Sequence, residues 1–516
     1  MAVDVAEDLD RAPAASPARP RWWLGDDPGR GRICLAIAAA FVLAYFLYFA
    51  LLTSAVHNGY GDRTFDIGFY DQGVWLLSRF HAPFVTLMGR DLFGDHAQFT
   101  LLALVPLYWL RPDATTLLWV QAAAMAAGAV PVYLLAMRRL RNPVFATVFV
   151  GAFLLHPALG LTNLENYHPD SFLIPLIGFA IYAAVENRPR MFVVCSVLAL
   201  LGKEDVVLVL LPVALWYAWR HNRRVGAWIA AACVAWAAIA MAVIMRTLAG
   251  VSTRNAGRIP FSTCVGSCSV SRHIADFTRT LVSKPAEVLR YLRSDGRPFY
   301  AWQMVAPTGL VFLVAPEIAA TGAIVLLTNV FSTTALQHSI AFHYSMVLLP
   351  ALSLGTICAV GKIARSRART IAVGVVGVSS LLAAYAWGPL PLARHQFVNH
   401  ASPNAPAVEA FNSVTHALPP GAVVSVYDGF VTHVDHRRRV YLWPTPFYTQ
   451  HWGLFRDEGR QLSFADEVQY LLLPTDLTDH PEVLTRLERD FVVVAHAEDA
   501  NHRGAVLYRR VSPGSS

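Results

Sequence analysis

The chain has 516 residues, of which 55% are hydrophobic and only 15% are charged, and its mean hydropathy is +0.42. Soluble domains carry about a quarter charged residues, and several runs here approach the roughly 20 apolar residues that span a bilayer. These properties exclude an ordinary soluble domain and predict a polytopic integral membrane protein. The formal net charge of +7 does not predict a nucleic-acid partner, because basic residues in such proteins mostly sit in cytoplasmic loops and set orientation.

The N-terminal segment, residues 1–32, is polar and rich in Ala, Pro and Arg. This composition predicts a disordered cytoplasmic tail. The apolar run that follows, Ile33–Leu52, is longer than a typical signal-peptide core and lacks a clear small-residue cleavage site. We therefore expect a retained membrane anchor.

Basic clusters constrain how the rest of the chain crosses the membrane. Under the positive-inside rule, the clusters at 138–141, 188–190, 220–224 and 362–369 lie in the cytoplasm. This predicts a transmembrane domain over 33–388 with about eleven spans in the plasma membrane, the N-terminus inside and the C-terminus outside. The predicted spans are 33–52, 114–137, 143–160, 171–186, 191–202, 206–219, 225–247, 300–315, 318–336, 344–361 and 371–388.

Two large loops are then expected outside, at 53–113 and 248–299. The first of them requires that Ala97–Leu110 does not cross the membrane. This segment has only about fourteen residues and contains Pro106, so an interfacial or re-entrant helix is the better interpretation.

The C-terminal segment, residues 389–516, has a different pattern. Strand-like runs alternate with helix-like stretches, which predicts a small extracytoplasmic α/β domain. The strand-like runs are 422–427, 439–443, 470–473, 491–495 and 505–508, and the helix-like stretches are 405–418 and 481–490. No glycine-rich phosphate loop follows the first strand, so we do not expect a nucleotide site.

Carboxylates are concentrated in the first outside loop, in the stretch "FDIGFYDQGVWLLSRFHAPFVTLMGRDLFGDHAQF". The stretch contains four aspartates close to the bilayer, Asp66, Asp71, Asp91 and Asp95, and His96 follows the last of them. A helix over 64–79 would place Asp66 and Tyr70 on one stripe and direct Asp71 elsewhere. In a purely structural explanation, Asp66 caps the helix and Asp71 is solvated, but this explanation is adequate for only one carboxylate. Four charged groups at membrane depth favour a functional loop.

Other polar clusters fall at predicted outer ends of spans. They are Glu165, His168 and Asp170; Lys203, Glu204 and Asp205; and Gln337, His338, His343 and Tyr344. Each cluster alone is explained as an interfacial anchor, but together they predict a polar cavity open to the outer leaflet. Carboxylates there can act as general bases or hold a divalent cation. Cations that could bind phosphate are Lys203, Arg254, Arg258 and Arg272.

Two cysteines, Cys264 and Cys268, lie four positions apart in the polar stretch "STCVGSCSV". If the 248–299 loop faces an oxidising compartment, a local disulfide is expected. A metal site would need more ligands, and only His273 is close in sequence.

Several motifs together resemble one known family. They are "FDIGFYDQGVWLLSRFHAPFVTL", "GDHAQFTLLALVPLYWL", "NYHPD", "KEDVVLVLL", "HYSMVLLPAL" and, in the C-terminal segment, "VVSVYDGFVTHVDHRRRVYLWP". This ordered set resembles the DUF2079 family of bacterial and archaeal membrane proteins over about 60–390. That family is similar to the GT-C superfamily of membrane glycosyltransferases, such as the protein O-mannosyltransferases and the aminoarabinose transferases.

The resemblance implies a GT-C-like fold, a catalytic acid soon after the first span, and a polyprenyl-phosphate sugar as donor. Asp66 occupies the place of the catalytic acid, and Asp95–His96 resembles the second acidic position. GT-C enzymes often show Asp-Glu at the first site, whereas Ile67 follows Asp66 here, so Asp71 remains the alternative base.

The resulting hypothesis is a glycosyltransferase that moves sugar to a cell-envelope glycan or lipid acceptor at the outer face. Asp66 would deprotonate or orient the acceptor hydroxyl, and Lys203 with nearby arginines would bind the lipid phosphate. The other expected substrate contacts are His96, His168, Glu204, His338, His343, Arg254 and Arg258. A transporter or flippase would show more mid-span charges and an inverted repeat, and a non-catalytic scaffold is the third alternative. The sequence does not specify the sugar, the acceptor or a metal.

Overall fold

The computed structural model describes residues 22–62, 65–249, 258–262, 270–453 and 458–511. Most of this chain is helical. In order, the α-helices α1–α21 are Pro28–Asn58, Ile67–Ser78, Leu92–Asp95, Val105–Leu110, Ala114–Ala127, Ala129–Leu140, Pro143–Leu154, Pro157–Glu165, Leu173–Val185, Pro189–Leu200, Val207–Arg220, Arg223–Ile239, Met245–Ala249, Val270–Ser283, Pro285–Leu292, Arg297–Val305, Ala323–Phe331, Leu349–Lys362, Ser366–Trp387, Pro406–His416 and Pro481–Leu487.

Shorter helical segments connect many of these helices. A π-helical turn, Ala240–Ile244, joins α12 to α13. The 3₁₀ segments are Trp22–Leu24, Phe99–Leu104, Pro169–Phe172, Glu204–Val206, Ala306–Thr308, Val311–Val314, Ala319–Gly322, Ala335–His338, His343–Leu348, Asp428–His433 and Ala465–Glu467.

Five helical segments are long and apolar enough to cross a membrane: Pro28–Asn58, Ala114–Leu140, Arg223–Leu248, His343–Lys362 and Ser366–Trp387. The pair α7 and α8, bent by 41°, makes a sixth if it forms one span. Shorter apolar helices occupy other predicted spans. One of them, Pro189–Leu200, has 12 residues, or about 18 Å of helix against a hydrocarbon core of about 30 Å. The number of about eleven spans therefore stays a prediction.

The membrane part packs around α9. Its residues Leu173, Ile174, Ile177, Ala180 and Ile181 are completely buried. A helix that is apolar all round belongs in the centre of a bundle. The helices α1, α12 and α19 instead expose apolar side chains such as Ile33, Trp228 and Ile371, which is expected for helices that face lipid.

The C-terminal segment forms a five-stranded mixed sheet, as the sequence predicts. Its strands are β3 (Val424–Val426), β4 (Val440–Leu442), β5 (Tyr470–Pro474), β6 (Phe491–Glu498) and β7 (Gly504–Arg510), in the order β4-β3-β5-β7-β6. Strand β3 is parallel to β4 and β5, and β7 is antiparallel to β5 and β6. The predicted helices are present as α20 and α21.

The sheet does not stand alone, because it shares a hydrophobic core with the first loop. The first loop contributes α2, α4 and a short hairpin formed by β1 (Phe84–Val85) and β2 (Arg90–Asp91). These elements pack against β3, β4 and the segment between them. Thr86 Oγ1 donates to the Val440 carbonyl at 2.7 Å and accepts from the Val440 N–H at 3.0 Å. Trp452 Nε1 donates to the Thr86 carbonyl at 3.0 Å. The sheet is thereby fixed to the loop that carries the aspartates.

Candidate active site

One cavity of about 1250 Å³ lies between the first loop, the 3₁₀ turns that precede α9 and α11, and the helices α11–α14 and α17. It brings together most of the predicted site residues: Asp66, Asp95, His96, His168, Lys203, Glu204, His343 and Arg258. These residues come from five separate stretches of sequence. The polar clusters that could each have been an interfacial anchor therefore meet in one place.

Asp66 lies in an unusual backbone conformation at the start of α2. Its φ of 75° and ψ of −70°, with the Ile67 N–H donating to the Phe65 carbonyl at 3.2 Å, define a γ-turn. This turn is rare and strained, and strain of this kind clusters at functional sites. Asp66 holds the N-cap position, but its side chain makes no capping hydrogen bond to the helix. The capping interpretation is therefore wrong, and the carboxylate faces the cavity.

Burial raises the pKa of Asp66 to about 6, and the nearby carboxylates Glu165 and Asp95 act in the same direction. The imidazoles of His168 and His96 act in the opposite direction. His168 Nε2 lies 3.8 Å from Asp66 Oδ2. Asp66 is thus a carboxyl group that exchanges its proton near neutral pH.

His168 lies at the centre of a compact group with Glu165 and His343. Its Nε2 is 2.7 Å from Glu165 Oε2, and its ring stacks on that of His343 with the centroids 3.8 Å apart. His343 Nδ1 is 3.7 Å from the same carboxylate oxygen. Pro169 favours an extended conformation at His168, and the His168 N–H donates to Gln121 Oε1 at 2.7 Å. Two imidazoles and a carboxylate within 4.8 Å of one another suit a divalent cation.

Arg90 is a functional candidate that the sequence reasoning missed. It is 6% exposed, it lines the cavity, and its Nε lies 2.9 Å from Asp95 Oδ1. Buried arginines are almost always paired, so an arginine among four aspartates was the available signal. Asp91, next to it, caps α3 by accepting from the Phe93 N–H at 2.9 Å, which gives this aspartate a structural role.

A chain of opposite charges closes the floor of the cavity. His96 Nδ1 lies 2.6 Å from Glu204 Oε1. Burial acts to lower the pKa of His96, but the Glu204 carboxylate prevails and raises it to about 9. Burial likewise opposes the charge on Glu204, yet His96 and Lys203 lower the pKa of this carboxyl to about 2. Both groups are therefore charged at neutral pH.

Lys203 extends this chain. Its Nζ lies 2.8 Å from Asp170 Oδ1 and 3.7 Å from Asp205 Oδ2, and its side chain is 4% exposed. The ammonium group is a fixed charge held between carboxylates. Within the described part of the chain Arg258 has no such carboxylate, and its guanidinium lies 5.5 Å from the centroid of the Tyr344 ring.

The structure does not bring every predicted residue into the cavity. Asp71 is completely buried on the far side of α2, where Tyr108 Oη donates to its Oδ1 at 2.6 Å. His338 is buried but is not among the lining residues, and Arg272 is exposed outside it. Arg254 and the predicted disulfide of Cys264 and Cys268 lie outside the described residues.

The rest of the cavity wall is apolar. On α14, Ile274, Phe277 and Leu281 follow helical spacing along one face. The facing apolar residues are Leu208, Ala237, Met241, Met245, Ile324, Leu327 and Phe331. The cavity therefore combines a charged end with an apolar groove.

This architecture defines a multi-pass membrane protein with a charged cavity beside the loop that follows its first apolar helix. Residues 62–480 match the family model described as a predicted membrane protein, DUF2079. The chain belongs to that family, as the motifs predict. No curated protein sequence matches the chain.

The fold is similar to that of ArnT from Cupriavidus metallidurans. The crystal structure of ArnT bound to undecaprenyl phosphate superposes with a TM-score of 0.55 at 13% identity, covering 91% of this chain and 98% of ArnT. The apo structure of ArnT gives a TM-score of 0.49 at 12% identity, with 92% and 99% covered. The predicted similarity to the GT-C superfamily is confirmed at the level of the fold.

Proposed function

We propose that this protein is a membrane glycosyltransferase that moves a sugar from a polyprenyl-phosphate donor to a cell-envelope glycan or lipid acceptor at the outer face of the plasma membrane. The observation that carries the proposal is the convergence of Asp66, Asp95, His168 and Lys203 on one cavity with an apolar groove. The fold shared with ArnT, whose structure holds undecaprenyl phosphate, supports the choice of donor.

Asp66 is the general base in this proposal. Its pKa of about 6 suits proton transfer near neutral pH, because an efficient base has a pKa close to the working pH. Its carboxylate takes the proton from the acceptor hydroxyl as the hydroxyl oxygen attacks the anomeric carbon. The bond from that carbon to the phosphate oxygen breaks, and the polyprenyl phosphate leaves with the electron pair.

The cations of the cavity stabilise the phosphate. Arg258 is the strongest candidate for direct contact, since no carboxylate of the described residues neutralises it, whereas Lys203 and Arg90 are already paired. An arginine suits phosphate because its fork of N–H groups gives two parallel hydrogen bonds. The apolar groove along α14 accommodates the polyprenyl chain.

A divalent cation fits the group of Glu165, His168 and His343. When bound there, such an ion neutralises negative charge that develops on a leaving phosphate. The same three side chains also act without it, because Glu165 orients His168 and His168 in turn lies beside Asp66.

The test is transfer by purified protein given a labelled polyprenyl-phosphate sugar pool and an envelope acceptor fraction. We expect Asp66→Asn to reduce transfer by about 10²-fold or more, with normal expression. The matched control is Asp91→Asn, since Asp91 caps α3 and is absent from the cavity lining. Equal turnover by wild type and Asp66→Asn would remove Asp66 from the mechanism. Movement of intact donor lipid across a bilayer without sugar transfer would instead identify a transporter.

A further inference from the structure

A second cluster of titratable groups lies where the first loop meets the C-terminal sheet. It consists of Asp71 on α2 and of Asp435 and His436, which precede β4. We call these three residues the loop–sheet cluster. None of them lines the cavity described above.

The three side chains converge closely. His436 Nε2 lies 3.0 Å from Asp71 Oδ1 and 4.0 Å from Asp435 Oδ1, and one ligand atom of each residue falls within 4.8 Å of the others. Both carboxylates are completely buried. The His436 ring is further held by a parallel stack on Trp75, with the centroids 5.8 Å apart.

Three carboxylate oxygens of this cluster lack a hydrogen-bond partner among the described residues. They are Asp71 Oδ2 and both oxygens of Asp435. The guanidinium of the adjacent Arg437 donates to the carbonyls of Val434 and Ala422 rather than to these carboxylates. Buried charges are normally paired or coordinate metals. The buried oxygens of Asp71 and Asp435 therefore face one another and the His436 imidazole in a space that a cation could occupy.

We propose that the loop–sheet cluster is a binding site for a divalent transition-metal ion of the Zn²⁺ type, which ties the first loop to the C-terminal sheet. Two carboxylates and an imidazole with a fourth position for water suit Zn²⁺, whereas Ca²⁺ and Mg²⁺ prefer oxygen ligands alone. Tetrahedral bonds of about 2.0–2.2 Å place ligand atoms roughly 3.3–3.6 Å apart. The separations of 3.0 and 4.0 Å bracket that value.

An outer hydrogen bond supports the assignment. Tyr108 Oη donates to Asp71 Oδ1, the oxygen that lies 3.0 Å from His436 Nε2, and so orients the carboxylate while this oxygen keeps a second lone pair for a metal. Partners of this kind fix the orientation of metal ligands and are needed for full affinity. The site is independent of the proposed transferase reaction, because its three residues lie apart from the cavity.

The experiment measures bound metal in the full-length protein after exposure to Zn²⁺ and removal of free ions. We expect Asp435→Asn and His436→Gln each to lose about one equivalent relative to wild type. The matched control is Asp466→Asn, which changes an exposed aspartate of the same sheet domain and should lose none. Adding Zn²⁺ to chelator-stripped wild type should raise Tm by several degrees, because a ligand that binds only the folded state stabilises it.

A third variant separates this site from the cavity. Co²⁺ loaded into the loop–sheet cluster should give visible absorption bands that persist in His343→Gln and disappear in His436→Gln. If the cluster variants fail to fold, the Co²⁺ titrations of wild type and His343→Gln still test the site, because the absorption bands should be the same in both proteins. Bands that disappear only in His343→Gln, or a metal content unchanged by Asp435→Asn, would overturn the proposal. The latter result would identify a proton shared by the two carboxyl groups, which an asparagine can replace as donor.

Discussion

The two faces of α2 place buried carboxylates in opposite electrostatic settings. In the cavity, each of the ion-paired acids has a cation beside it: Arg90 for Asp95, His96 for Glu204, and Lys203 for Asp170. In the loop–sheet cluster, Asp71 and Asp435 are both buried, and three of their four oxygens have no partner among the described residues. Each acid of the first set has its own cation, although Asp95 is 27% exposed, whereas the two completely buried carboxyl groups of the second set share the single imidazole of His436.

The largest effect should come from removing the buried cation of the cavity. Lys203→Met leaves Asp170 without its ion-pair partner and should destabilise the protein by about 3–5 kcal/mol, as expected when one partner of a buried pair is lost. The measurement is Tm in detergent. The double variant Lys203→Met/Asp170→Asn should recover part of the loss, whereas additive losses would show that the two groups do not interact.

The His96–Glu204 pair should make stability depend on pH. Because the folded state raises the pKa of His96 from 6.5 to about 9, the contribution is present below pH 6.5 and is lost as pH rises to about 9. It amounts to roughly 3 kcal/mol as an upper figure. Unfolding free energy measured between pH 6.5 and 9 should fall in wild type. The slope should flatten in Glu204→Gln, and an equal slope in both proteins would contradict the pairing.

The contact between the first loop and the sheet can be tested through Thr86. Thr86→Val keeps the shape of the side chain but leaves the Val440 N–H and carbonyl without their partner. A buried group left unpaired costs about 1–3 kcal/mol, and we expect a corresponding fall in Tm. Thr278→Val is the control, since this exposed hydroxyl donates only to the Ile274 carbonyl within α14. Similar losses in the two variants would mean that the contact contributes little.

The smallest predicted effect is a change in the pH profile of transfer. With the pKa of Asp66 at about 6, kcat/KM should fall about tenfold for each pH unit below 6, because only the deprotonated carboxyl accepts a proton. Above pH 7 the same group should leave the rate unchanged. A profile that stays level down to pH 4.5 would assign the base to another group.

Much of this arrangement follows from local sequence patterns. Hydropathy located the five helical segments that are long and apolar enough to cross a membrane, whereas the predicted span 300–315 is broken into the end of α16 and two short 3₁₀ segments. Alternation in the C-terminal segment located all five strands of the sheet. The stripe on α2 correctly separated Asp66 and Tyr70, which line the cavity, from Asp71, which does not. Helical periodicity carries this information because it fixes which side chains share a face.

Long-range contacts were not visible in the same way. No local pattern indicates that Asp71 meets Asp435 and His436, the latter 365 positions further along the chain. Nothing local specifies a partner several hundred positions away. The γ-turn at Asp66 was also unexpected, because the strain of that conformation opposes the local preference of an aspartate.

The shared core of the first loop and the sheet sets an order of events during synthesis. Thr86 and the carbonyl it contacts at Val440 are 354 positions apart. A ribosome adding about 5–20 residues per second needs roughly 18–70 s to make the intervening chain. During that interval Val74, Val85 and Leu87, which are buried in the finished protein, have no sheet to cover them. A nascent chain thus carries an incomplete first loop through most of its assembly, and the loop acquires its final surroundings only when the last strands emerge.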